Sequence, residues 1–352
     1  MGSLLMDATS IAELTLVQMG RLIDQIGNTP IEPIYFVIEG KVRKVHLKLE
    51  GANPAGSMKD RTGYALIQDL EYRGLLRKGS VVIESTSGNL GVALAFICRA
   101  RGYSFLAIVD PKTTQENLAK MRALGAEIEL VDQPDASGGY LLSRLARIEE
   151  FCQLSDKYVW TDQYSNAANP RIHYTSTGPE IYRQLNGKVD AIFAAVSTGG
   201  TLAGIGRFFR EVSPATHIIG VDARGSVIFG TQPGPRKLTG IGSSRSSSFL
   251  SKEMYDTHVV VDDEEAFAFC HAIYIATGIK VGGSSGAALA ACASYLQTHP
   301  ELENVVCICP DRGENYTSSI FNNQWLQQHG IYLSQDHLGP IQDILHTMPG
   351  RQ

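Results

Sequence analysis

Residues 80–102 read SVVIESTSGNLGVALAFICRARG. The β-branched run VVIES predicts a strand, and the cluster Thr86-Ser87-Gly88-Asn89 breaks it. NLGVALAFICRARG then takes helical spacing that closes on Gly102, a residue suited to a C-cap. The same succession recurs along the chain. KVHLKLE, SFLAIVD, AEIELVD, DAIFAAVS, HIIGVDA, HVVVDD and NVVCICP are further apolar, β-branched runs, with helical patterns such as TTQENLAKMRALG between them. Strand alternating with helix predicts an α/β fold of parallel sheets covered by helices on both faces.

Composition narrows the function. At 352 residues, 43% hydrophobic and 19% charged, the chain can bury one large core or two lobes and is not of the disordered class. A net charge of −5 gives no electrostatic grip on nucleic acid or anionic membrane, so small-molecule chemistry is expected. No apolar run approaches the roughly 20 residues that span a bilayer, and the opening residues lack a basic region followed by a cleavable apolar segment. A cytoplasmic protein is the expectation. The six cysteines sit in apolar surroundings (FICRA, AFCHAI, AACAS, VCICP) and read as small buried hydrophobes, with neither a disulfide framework nor a zinc site.

Four short stretches fall at the ends of predicted strands or the starts of predicted helices, the edge where α/β sheets place ligands. STSGN, with Thr86, Ser87, Gly88 and Asn89, offers backbone amides and hydroxyls to an anion such as a carboxylate. STGGT, Ser197-Thr198-Gly199-Gly200-Thr201, follows a strand and opens a helix, as a phosphate cup does. GGSSGA places Ser284 at a third helix start. Neither glycine loop has the Walker spacing, and no acidic ribose partner follows GTLAGIG, which argues against a nicotinamide dehydrogenase.

The fourth stretch is NPAGSMKDR, residues 53–61. Alone, its lysine would read as a solvated charge. Ser57 is the expected N-cap of the helix KDRTGYALIQDLEYRGLL, which puts Lys59 in the first turn, where the helix dipole favours the neutral amine. Burial would push the same way, and a neutral lysine can form a Schiff base. A Schiff-base lysine, a phosphate cup, an asparagine able to meet a phenolic oxygen and a helix-start serine are the parts that hold pyridoxal phosphate. A hydroxyl at the pyridine nitrogen, in place of a carboxylate, suits β-elimination and replacement better than transamination.

In order and separation, these four stretches resemble the cysteine synthase and cystathionine β-synthase family of fold type II pyridoxal phosphate enzymes. QYSNAANPRIHYTSTGPEI and PDRGENY resemble that family too, so the similarity covers residues 22–330. The resemblance implies a tryptophan synthase β-like fold of two parallel-type α/β lobes with the cofactor in the cleft between them. It implies a small lobe of residues 54–165 inserted in a large lobe of residues 22–53 and 166–330, with an N-terminal extension (1–21) and a C-terminal tail (331–352) outside them. A homodimer is implied as well. By matching motif, Lys59 would carry the cofactor, Asn89 would contact its phenolic oxygen, Ser197 to Thr201 would hold its phosphate and Ser284 its ring nitrogen. Thr86, Ser87, Gly88 and Gln163 would hold the amino-acid carboxylate.

Departures from the usual family pattern bear on specificity. Leu90 stands where threonine is usual, Tyr164 where phenylalanine is usual, and Ser197 where glycine is usual. Together with VDARGSVIFG, IVDPK, PDASGGYL and GIGSSR, these resemble the N-(2-amino-2-carboxyethyl)-L-glutamate synthases of the family. That resemblance implies β-replacement on O-phospho-L-serine by L-glutamate, a step towards the 2,3-diaminopropionate of siderophores. AANPRIHY is closer to ordinary cysteine synthases, so a sulfide-using enzyme is the alternative; a catalytically idle regulatory module on the same fold is another. Arg245, in a glycine- and serine-rich loop, could bind a phosphate leaving group or the glutamate side chain. Tyr164 adds a hydroxyl for a polar second substrate. Arg144, in LLSRLARIEE, reads as one charge on a solvated helix face.

Overall fold

The computed structural model describes residues 15–135 and 139–348. In chain order its strands are β1 (Ile31–Ile38), β2 (Lys41–Leu49), β3 (Val81–Ser85), β4 (Ser104–Val109), β5 (Glu127–Leu130), β6 (Tyr158–Trp160), β7 (Ala191–Ala195), β8 (His217–Ala223), β9 (Thr257–Val261), β10 (Val305–Cys309) and β11 (Ile341–Leu345). Two compact units divide them. One holds the described residues up to Asn28 together with Ala52–Ile172, and the other holds Thr29–Gly51 and the described residues from His173 onward. The loop before Leu141 lies partly outside the described residues.

The first unit is built on a parallel sheet of order β5-β4-β3-β6. Alternation along its two middle strands feeds two cores. Val82, Phe105, Ala107 and Val109 pack with the Asn89–Arg101 helix, with Leu66, Ile67 and Leu70 of the Lys59–Tyr72 helix, and with Met19 and Ile23 of the Leu16–Ile23 helix. Ile83, Leu106 and Ile108 point to the other face, against Ile148 of the Leu141–Leu154 helix. Gly102 caps the Asn89–Arg101 helix in the left-handed conformation, as its position in the sequence implies. The Lys59–Tyr72 helix ends short of the expected Leu76, because Gly74 turns left-handed at φ 66°.

The second unit departs from the all-parallel expectation. Its sheet runs β11-β1-β2-β10-β7-β8-β9, and although β2, β10, β7, β8 and β9 are parallel, β1 is antiparallel to both β2 and β11. The reason is local. Only Glu39 and Gly40 separate β1 from β2, both with positive φ (51° and 73°), and a two-residue connection of this hand can close only an antiparallel hairpin. The Gly283–Thr298 helix is buried along most of its length against this sheet. Five cysteines are buried and Cys152 is half-buried rather than buried as expected; all six are free thiols. Among the described residues no helix is long and apolar enough to cross a membrane.

Candidate active site

In the first unit, β3 leads straight into the loop that the sequence marks as a carboxylate site. Thr86 N donates to Ile108 O at 2.9 Å, extending the β3–β4 ladder by one residue, and the chain then turns into the helix that starts at Asn89. Thr86 Oγ1 accepts from Gly91 N at 2.9 Å. A Cβ at Gly91 would lie 2.5 Å from Met121 Sδ and 2.8 Å from Thr86 Cγ2, so only glycine lets Thr86 tuck under the helix start. With its oxygen accepting from the backbone, the Thr86 hydroxyl still has its proton to donate. Gly88 occupies the N-cap without a side-chain cap, which leaves the helix mouth open to an anion.

Gln163 is brought to the same loop. Its Nε2 donates to Ser85 O at 2.9 Å, its own carbonyl accepts from Asn169 Nδ2 at 2.7 Å, and half-buried Tyr164 follows it. Beneath both segments lies Glu84, which is fully buried. Its Oε2 accepts from Thr161 Oγ1 at 2.5 Å and from Gln163 N at 3.1 Å, while Oε1 accepts from Ser85 N at 2.8 Å and from Trp160 Nε1 at 3.4 Å. Burial pushes the Glu84 carboxyl up to about 7, although these four donors pull it down. Sequence reading missed this residue; the signal was a carboxylate inside an otherwise apolar strand, next to the loop.

Arg144 corrects the sequence expectation outright. It is only 7% exposed, and its Nε lies 3.4 Å from Oδ2 of Asp110, itself buried just past β4. Among the described residues, its Nε and Nη1 have no hydrogen-bond partner. The helix face that carries it packs on the sheet, and Asp110 follows the strand paired with β3, so the guanidinium belongs to the same carboxyl edge as the Thr86 loop.

Lys59 is the first residue of its helix and is half-buried. The expected Ser57 cap is not formed. Met58 takes the N-cap in right-handed helical conformation, and Asp60 Oδ2 reaches back to accept from Ala55 N at 2.5 Å. Ser57 instead accepts from Lys59 N at 3.2 Å, still fixing the backbone that carries the lysine.

The second unit contributes Ser197 to Thr201, Arg245 and Ser284. The cup follows β7 and opens the 13-residue helix Gly200–Val212, with Gly199 at the N-cap at φ 89°. A Cβ at Gly199 would lie 2.1 Å from Ser247 Oγ, whose hydroxyl donates to Thr198 O at 2.6 Å. Thus the loop carrying Arg245 is pinned to the cup by Ser247, two residues on, and Arg245 itself is half-buried. His173, fully buried in a single π-helical turn (His173–Thr177), spans Thr177 Oγ1 at 2.9 Å and Thr201 Oγ1 at 3.3 Å and was not singled out from sequence. Ser284 is buried in the first turn of the 16-residue Gly283–Thr298 helix.

Each unit thus carries residue types by which a phosphate-bearing, amine-reactive cofactor would be held. The chain belongs to the family of pyridoxal-phosphate dependent enzymes, whose family model matches residues 22–311. It is 40% identical over 305 residues to an N-(2-amino-2-carboxyethyl)-L-glutamate synthase of Ralstonia nicotianae, covering 87% of this chain and 90% of that one. Among solved structures it is similar to an O-acetylserine dependent cystathionine β-synthase from Helicobacter pylori, at 31% identity and a TM-score of 0.78, over 85% of this chain and 97% of that chain. An O-ureido-L-serine synthase is similar at 29% identity and a TM-score of 0.78, over 86% of this chain and 95% of that chain. The fold is therefore that of the fold type II enzymes, and the cofactor is pyridoxal phosphate. The residues present fit it: the left-handed Gly199 opens the Gly200–Val212 helix without a side-chain cap, and Ser197, Thr198 and Thr201 set hydroxyls beside that helix start, as a phosphate requires.

Two outcomes are expected. Gly199→Ala should weaken cofactor binding about tenfold, the equivalent of a left-handed penalty of ~1–2 kcal/mol, as read by titration of the visible absorbance; unchanged affinity would mean that the cup does not hold the phosphate. Glu84 has a folded value above its unfolded one of 4.5, so its contribution to stability is present below that value and lost as pH rises through about 7. Relative to wild type, Glu84→Gln should gain about 3 kcal/mol across that window in denaturant unfolding, and parallel pH profiles would contradict the shift.

Proposed function

We propose that the chain catalyses β-replacement on O-phospho-L-serine, the amine of L-glutamate displacing phosphate at Cβ to give N-(2-amino-2-carboxyethyl)-L-glutamate. The observation that carries this reading is Arg144. A buried guanidinium whose Nε faces a single carboxylate and whose Nη1 has no hydrogen-bond partner among the described residues, at the same edge as the carboxylate loop, suits a dianionic phosphate far better than a neutral acetyl ester. The product named for the Ralstonia nicotianae relative agrees with it.

In this scheme Thr86, Ser87, Gly88 and Gln163 bind the substrate carboxylate and Arg144 binds the leaving phosphate. Lys59, Asn89, Ser197, Thr198, Gly199, Gly200, Thr201 and Ser284 hold the cofactor. Bound pyridoxal phosphate supplies an electron sink for the charge developed at the substrate Cα. Lys59 Nζ removes the proton from Cα and returns it after the new C–N bond has formed, so one amine serves as base and acid. Arg245 and Tyr164 receive the side-chain carboxylate and polar groups of the incoming glutamate. The chain is assigned to the cytoplasm as a homodimer, the form expected in sedimentation.

Holoenzyme given O-phosphoserine with either L-glutamate or sulfide should release phosphate and yield the glutamate adduct by mass. Faster cysteine formation from sulfide would make it a cysteine synthase instead. Arg144→Gln should raise the KM for O-phosphoserine at least about tenfold while leaving that for O-acetylserine within about threefold; an equal effect on both would remove Arg144 from the phosphate site.

A further inference from the structure

We infer that Glu84 is a positioning residue for the substrate carboxylate, holding the Ser85–Asn89 loop and Gln163 in register with each other. The inference rests on the assignment of the carboxylate to those residues, and not on the leaving group or the nucleophile. Its basis is the closed ring of hydrogen bonds. Glu84 accepts from Ser85 N on one side and from Thr161 Oγ1 and Gln163 N on the other, and Gln163 Nε2 returns to Ser85 O at 2.9 Å. Ser85 and Gln163 are 78 residues apart, so nothing in local chain geometry keeps them together. Trp160 Nε1 adds a fourth donor at 3.4 Å, and its strand β6 pairs with β3 through Ile83 and Trp160.

A buried carboxyl with no ion-pair partner among the described residues is costly, and an aliphatic residue like its neighbours Val82 and Ile83 would serve a purely packing role at this strand position. What the carboxyl adds is acceptor capacity. Two oxygens satisfy two fixed backbone N–H groups from the two segments that approach the substrate, which an aliphatic side chain would leave orphaned. Replacement by glutamine supplies only one oxygen. Its NH2 group then faces either Ser85 N and Trp160 Nε1 or Gln163 N and Thr161 Oγ1, so one segment is released.

Holoenzyme titrated with L-serine and with ethanolamine, which lacks only the carboxylate, tests this through the change in cofactor absorbance on binding. Wild type should favour L-serine. Glu84→Gln should lose about tenfold in L-serine affinity with ethanolamine affinity kept within about twofold, and amide exchange at Ser85 and Gln163 should quicken. Thr161→Val, which leaves the carboxyl and removes one donor, should show the same pattern to a smaller extent, and decides the matter if Glu84→Gln does not fold. Equal weakening of both probes, an unchanged preference for L-serine, or a wild type without that preference would overturn the inference. Failure of O-phosphoserine to release phosphate would sink the proposed reaction alone, leaving the serine-to-ethanolamine ratio intact.

Discussion

A helix that begins directly after a parallel strand leaves the amides of its first turn without partners inside the helix, and the chain must turn within a few residues to reach it. Much else in this protein answers to that constraint. The turn after β3 is made from Thr86, Ser87 and Gly88, and the turn after β7 from Ser197, Thr198 and Gly199; each ends in a helix without a side-chain cap. Larger residues would collide with what packs against the turns. At Gly91 a Cβ would strike Met121 and Thr86, and at Gly199 it would strike Ser247. The uncapped helix starts and the small residues are one solution to one requirement, and they put both candidate anion loops at the carboxyl ends of their strands.

Two buried charges in the first unit are treated in opposite ways. Glu84 is surrounded by donors that use both its oxygens, so it stiffens the segments it touches. Arg144 has one carboxylate facing its Nε and an Nη1 without a hydrogen-bond partner among the described residues, which leaves it donor capacity for the anion proposed above. In the proposed scheme one supports the site and the other receives the ligand.

The fold was legible wherever local pattern decides it. The eight apolar runs read as strands are strands, and the helices ending at Gly102 and just before Gly125 stop where glycine permits. β1 and β11 escaped because IEPIYFVI carries a proline and a carboxylate on its exposed edge and IQDIL is short, so neither reads as a buried parallel strand. In the site, the loops announced themselves by composition. Glu84 and Arg144 did not, because a charged residue reads as exposed until its distant partners are known: Thr161 lies 77 residues from Glu84, and Asp110 precedes Arg144 by a strand and a helix. Ser57 had the chemistry of a cap, but Met58 takes the N-cap and Ser57 accepts from Lys59 N from one residue further out.

The central claim is that a lysine at a helix start is the residue through which the cofactor is held and the proton is moved. Borohydride reduction of the holoenzyme followed by peptide mapping tests it directly. A pyridoxyl group on Lys59, absent from a Lys59→Ala variant that still folds, is the predicted result; a pyridoxyl group on any other lysine would contradict the account.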